Sequence, residues 1–254
     1  MADNIKIDSS DIKTMQKSPL TLDKLPLDVL ENVMGRLQLA DCLSLRKASR
    51  DLRRFVDSTE GHCEVLSFWL GDIETAMVLD DLQLDYGMNI VDGGCVITSK
   101  RLDIQKTKTC KDDRYFQQAL IDDASTVLKM PKLQIGLMEF QYVEEDMQLE
   151  LVQCLKARNL PLNVRSIRGE DLKLLHSIQE FLNPEKLEEI ICSEIHPSEF
   201  IEMAETDLEI LKNTKLKFGK FNFIYYSDEL VAEYEKSLKS LNSELRVQSV
   251  FIDD

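Results

Sequence analysis

Apolar positions change period along the chain. Between residues 25 and 56 the spacing is helical: Val29, Leu30, Val33 and Leu37 form one stripe. Pro26 suits the first position of that helix, because its φ is already helical and its missing N–H would have had no partner there. Asp28 and Glu31 put negative charge at the positive end of the helix dipole. A second segment, 39–48, carries Leu39, Cys42, Leu43 and Leu45. A third runs from Ser49, a plausible N-cap, to Val56, with Leu52, Phe55 and Val56 apolar and Arg50, Arg53 and Arg54 basic. Three helices in so short a stretch cannot bury all their apolar faces on one another. They read as a docking module or as a helical cap on the domain C-terminal to them.

Beyond residue 61 the period shifts toward two. The stretch 64–70 is apolar and ends at Gly71, and Leu82, Leu84 and Tyr86 alternate strictly, as in a half-buried strand. Asp92-Gly93-Gly94 punctuates before Cys95-Val96-Ile97, which predicts a strand pair across a glycine turn. The polar run 106–114 reads as a loop before a helix over 115–128. Trp69, the only tryptophan, is expected to pack between the N-terminal helices and these strands.

From residue 133 strand-like and helix-like segments alternate. Strands are predicted at 133–140, 162–167, 187–192, 216–223 and 245–251, and helices at 145–157, 170–182, 198–211 and 228–241. The strand starts are separated by 29, 25, 29 and 29 residues. A unit of this period suits right-handed βα crossovers feeding a parallel sheet, either as a curved solenoid at the long end of leucine-rich repeats or as a compact open α/β sheet. The expected fold class is therefore α+β or α/β: three N-terminal helices, a short β-rich linker region, and a C-terminal leucine-rich-repeat-like βα solenoid. The expected divisions are a flexible lead-in at 1–22, the helical module at 23–58, strands with a following helix at 59–130, and βα repeats at 131–254. Stacked strands would present one continuous face, with Gln134, Arg165, Glu189, Lys217 and Gln248, or the neighbouring positions of opposite parity, as target-binding candidates.

Composition narrows the function. The 254 residues are 43% apolar and 30% charged with a net charge of −15, which disfavours nucleic-acid phosphates as a partner. Six cysteines stand far apart without a C-x-x-C pair, and the N-terminus has no apolar signal region, so buried free thiols in a cytoplasmic or nuclear setting are expected. No apolar run approaches the ~20 residues of a membrane span. His62, expected in a loop, His176 and His196 are isolated, no zinc spacing occurs, and phosphate-loop, dinucleotide, nucleophile-elbow and zincin motifs are absent. The paired acids, such as Asp80-Asp81 and Asp122-Asp123, read as solvated surface; only their convergence in a cleft would support a hydrolase. No metal, cofactor or catalytic residue is expected.

Leu25-Pro26, the ordered aliphatics Val29, Val33, Leu37, Leu39, Leu43 and Leu45, and Ser49-Arg50-Asp51-Leu52-Arg53 resemble an F-box. The chain departs from many F-boxes at Leu52, where an aromatic residue is common, and at Ala40, where proline is common. The resemblance implies docking to a Skp-type adaptor through Leu25, Pro26, Val29, Leu30, Val33, Leu37, Leu39, Leu43, Leu45 and Leu52, and through the adaptor to a cullin. The stretches 80–86, Lys132-Leu133, 181–184 and 187–191 are further similar to nematode F-box A proteins, in which an F-box precedes an FTH domain. That resemblance implies a non-catalytic, substrate-recognition subunit of an SCF-type ubiquitin ligase whose C-terminal half holds a target protein of unknown identity. An F-box scaffold outside ubiquitylation, bridging to a protein such as an RNA-binding regulator, is the alternative.

Overall fold

The computed structural model describes residues 22, 25–71, 75–88, 94–110, 115–170, 172–195, 218–224, 232, 235–236, 239–240 and 246–252. Three helices come first: α1 (Leu27–Met34), α2 (Leu39–Ala48) and α3 (Arg50–Ser58). Pro26 stands one residue before α1, as its N-cap in extended backbone, and its carbonyl accepts the first helical N–H groups, from Val29 and Leu30. Ser49 closes α2 and opens α3, its Oγ accepting the Leu52 N–H at 3.1 Å, as the N-cap expectation required.

Strand β1 (Gly61–Leu70) follows α3 after only two residues. It is central to a ten-stranded sheet ordered β10-β9-β8-β7-β6-β1-β2-β3-β4-β5. On one side lies an antiparallel meander: β2 (Thr75–Leu79), β3 (Leu82–Met88), β4 (Cys95–Arg101) and β5 (Ile104–Cys110). On the other side lie parallel strands in chain order: β6 (Leu133–Gln141), β7 (Asn163–Gly169), β8 (Glu189–Ile195), β9 (Phe218–Ile224) and β10 (Arg246–Ile252). Helices α4 (Phe116–Leu128), α5 (Glu145–Lys156) and α6 (Leu172–Ile178), the last extended by a 3₁₀ turn to Phe181, connect them. The fold is thus mixed α+β with three leading helices. The predicted helix 198–211 lies outside the described residues, as does most of 228–241.

Several expectations are corrected. Over 106–110 the polar run is not a loop: β5 pairs in full register with β4, Cys95 opposite Cys110, while 111–114 lie outside the described residues. Its Lys and Thr residues are exposed because it is an edge strand, where polar side chains are tolerated on both faces and charge discourages unwanted pairing. Trp69 does not pack beneath the N-terminal helices; it meets Tyr142 edge-on, ring centroids 6.5 Å apart, and lines a surface cleft over the meander with Asp85 and Lys100. His62 lies on β1 rather than in a loop. The 59–130 and 131–254 regions also share one sheet, because β1 pairs with β6.

Strict alternation fails in the parallel strands in an informative way. Buried positions run Cys63, Leu66, Phe68 in β1; Ile135, Met138, Phe140 in β6; Val164, Ile167, Gly169 in β7; and Leu187, Ile190, Cys192 leading into and along β8. In each strand two residues, rather than one, separate the first two of these positions, and the pairing aligns Cys63 with Ile135 and Val164, and Leu66 with Met138, Ile167 and Ile190. Gly136 sits at this irregularity because a Cβ there would stand 2.7 Å from the Glu64 carbonyl oxygen. Asp80, at φ 54° in the two-residue turn between β2 and β3, reaches the same place: its Oδ1 accepts the Glu64 N–H at 2.7 Å and the Val65 N–H at 3.0 Å. Phe68 and Phe140 stack across β1 and β6 at 5.7 Å, both fully buried. Among the described residues the cysteines Cys42, Cys63, Cys95, Cys154 and Cys192 are buried free thiols. Burial, with Asp80 adding to it, pushes the Cys63 thiol well up.

Asp80→Ala orphans two N–H groups at the irregularity and is expected to lower stability by about 2 kcal/mol, whereas Asp80→Asn keeps an acceptor and costs less. Urea unfolding monitored by circular dichroism measures both.

Candidate functional site

The first surface is the start of the helical module. Helix α1 turns Leu30 inward (8% exposed), with Met34 and Leu37 packed against the core, and leaves Leu27 61% and Val29 40% exposed. Pro26 is also exposed, and Leu25 and Val33 are half-buried. Of the ten residues assigned to adaptor docking, Leu30, Leu39 and Leu52 are buried within this chain, and Leu37, Leu43 and Leu45 pack partly against its core. Leu25, Pro26, Val29 and Val33 retain surface. Sequence reasoning misses Leu27: the helical stripe begins at Val29, although three apolar residues within four at a helix start exceed what one inward stripe uses. Isolated exposed aliphatics are ordinary, but Pro26, Leu27 and Val29 are all exposed within four residues at the start of α1, with Pro26 and Val29 three positions apart on neighbouring parts of its surface.

This module is fixed to the sheet by Arg101 at the end of β4. Its Nη1 and Nη2 donate to the two carboxylate oxygens of Asp41 on α2 at 2.7 and 3.1 Å. Its Nε donates to Asp81 Oδ2 at 3.0 Å, and Nη2 also donates to the Gln38 side-chain oxygen. A planar guanidinium can satisfy this fork on both sides at once, which an ammonium could not. The Arg101 hydrogen bonds, with its charge, hold the Asp41 carboxyl below the usual aspartate range. Lys132 adds a bond from Nζ to the Ser58 carbonyl at 2.9 Å, and Arg46 pairs with Asp57 at 2.7 Å between α2 and α3. Nothing in the sequence pattern marks Arg101, because its partner Asp41 lies 60 positions away.

The second surface is the sheet face opposite the buried positions. Gln134 and Arg165 are exposed on it and line one cleft of about 260 Å³ with His62, Glu64, Asn163 and Glu188. Gln134 Nε2 donates to Glu60 Oε2 at 3.3 Å, and His62 Nε2 lies 2.8 Å from Glu64 Oε1, which lowers the Glu64 carboxyl. Glu189 is half-buried beside them and accepts the Ser166 hydroxyl at 2.6 Å; Arg168 pairs with Glu139 at 2.8 Å. Gln134, Arg165 and Glu189 therefore share one polar, mixed-charge face. Gln248 lies on β10, and Lys217 is outside the described residues. Among the described residues no group of three or more His, Cys, Asp or Glu side chains could hold a metal ion, and no helix is long and apolar enough to cross a membrane.

With this geometry in place, residues 22–63 match the family model of the F-box domain. The chain therefore carries an F-box domain, made of α1 to α3 and the start of β1. F-box domains in general bind Skp-type adaptors, and proteins that carry them generally serve as non-catalytic adaptors in SCF-type ubiquitin ligases. Neither the curated proteins nor the solved structures contain a significant match to the chain.

Because the paired state lowers the Asp41 pKa, its contribution to stability is present above the unfolded carboxyl pKa and lost as pH falls through the folded one. Arg101→Met is expected to return the Asp41 carboxyl to the ordinary aspartate range in a carbon-detected NMR titration, and to raise amide exchange in α2 several-fold while the β1 and β6 amides stay protected.

Proposed function

We propose that the chain is the substrate-recognition subunit of an SCF-type cullin–RING ubiquitin ligase. The observation that carries this reading is the coincidence of the F-box match with a helix turn whose apolar side chains, Pro26, Leu27 and Val29, face solvent on an otherwise folded body. A Skp-type adaptor offers the groove they lack and connects the chain to a cullin. Full burial of an aliphatic side chain is worth about 1.5–3 kcal/mol, so a few such anchors can sustain the contact after the cost of association. Leu30, Leu39 and Leu52 then act indirectly, by holding α1 to α3 in shape.

On this reading the C-terminal βα units form the target-binding body, a leucine-rich-repeat-like solenoid of the FTH type. Support comes from the sequential order of β6 to β10 and the aligned skip in the inward positions of β6, β7 and β8. The target is a protein held on the polar face by Gln134, Arg165 and Glu189, with Lys217 and Gln248 as further candidates from the sequence pattern. The chain itself supplies no covalent chemistry; the ligase does. The complex acts in the cytoplasm or nucleus, where the buried free thiols stay reduced.

The test is co-purification of the full chain with a recombinant Skp-type adaptor and cullin. Leu27→Glu combined with Val29→Glu is expected to weaken adaptor binding at least about a hundredfold, equivalent to roughly 2.7 kcal/mol, with an unchanged circular dichroism spectrum because both side chains are exposed. Leu25→Ala with Pro26→Ala is expected to act in the same direction. Undiminished adaptor recovery with the double Glu variant overturns the docking assignment.

A further inference from the structure

A cleft of about 540 Å³ lies apart from both surfaces, on the helix-bearing side of the meander. Helix α2 forms one wall through Ala40, Leu43 and Ser44, and α4 forms the other through Thr126 and Val127. The floor is aliphatic: Leu79, Leu82, Leu84 and Ile97, which share one face because the register sets Leu79 opposite Leu82 and Tyr86 opposite Ile97. Leu82, Leu84 and Ile97 are only half-buried, so the described helices leave part of this floor uncovered.

The rim is cationic. Lys106 and Lys108 stand two residues apart on β5, pairing with Ser99 and Ile97 of the floor strand, and Lys47 rises from α2. All three are exposed, and none forms a salt bridge with a described carboxylate. The lining carboxylate, Asp123, is already engaged, accepting the Tyr86 hydroxyl at 2.9 Å. Three unpaired ammonium groups around an aliphatic floor are a local reversal on a chain of net charge −15. The volume falls within the roughly 300–1,000 Å³ of small-molecule sites.

We propose that this cleft binds a free amphipathic anion, an aliphatic chain ending in a carboxylate or phosphate, with the chain on Leu82, Leu84 and Ile97 and the head group among Lys47, Lys106 and Lys108. The charge complementarity of the rim selects an anion over a neutral or cationic amphiphile. The concave shape and the strongly negative whole-chain charge favour a single free molecule over an anionic membrane surface, which would repel the rest of the chain.

Decanoate and decyl phosphate, below their micelle concentrations, are the probes. Calorimetry on the full chain is expected to show saturable one-to-one binding, with NMR shifts at the Leu84 and Ile97 methyls. Decanol and decyltrimethylammonium are expected to bind at least tenfold more weakly. Lys106→Glu with Lys108→Glu, at exposed positions that leave the core intact, is expected to reduce decanoate affinity at least tenfold; Lys106→Gln with Lys108→Gln gives an intermediate loss. Absence of saturable binding, equal binding of the cationic amphiphile, indifference to the lysine reversals, or binding only to phosphatidylserine vesicles would overturn the proposal. None of these readouts involves the adaptor, so failure here leaves the docking assignment standing.

Discussion

The double pairing of β1 is the constraint on which the rest of the structure depends. This strand is hydrogen-bonded in parallel to β6 along most of its length and antiparallel to β2 along its second half. It begins two residues after α3, so the F-box helices are delivered directly onto the middle of the sheet rather than onto an edge. Its inward side chains Cys63, Leu66, Phe68 and Leu70 are completely buried, and the Phe68–Phe140 stack ties the two halves of the sheet together. A central strand buried in this way exchanges slowly and is expected to open only with the whole domain.

From that junction the geometry of both surfaces follows. Val56 of α3 and Leu39 and Cys42 of α2 join the same core cluster as the strands, so the F-box is not a separate bead on a linker. Arg101 then fixes its orientation from the meander side through Asp41 and Asp81. The outward turn of α1 and the polar face carrying Gln134 and Arg165 are thereby held in a set relation within one packed body. On the proposed reading such rigidity would serve the chain, because a subunit that presents a bound protein to a ligase contributes positioning rather than chemistry.

Much of this was legible in the sequence, and the parts that were not share a cause. Helices α1 to α5 and most strands announce themselves through periodicity, and the Leu25-Pro26 start with its following aliphatics identifies the F-box. The edge strand β5 was invisible because IQKTKTC has no apolar alternation; it is a strand only by virtue of its pairing with β4. The skip of two residues between inward positions was not read from the sequence, yet the spacing apolar-x-x-apolar-x-apolar is present at 63–68, 135–140 and 187–192. Arg101 and Asp80 act on residues 60 and 15 or more positions away, and no local pattern encodes such contacts. The docking list mixed inward and outward residues because a stripe drawn on one helix cannot say which side the neighbouring strands will claim.

Hydrogen exchange of the full chain, alone and with a purified Skp-type adaptor, tests the central claim most directly. New protection is expected to concentrate in residues 25–34 and the adjoining turn of α2, with the amides of β6 and β7 unchanged. Complex formation with protection confined to the polar sheet face, or no protection anywhere in the F-box helices, would contradict it.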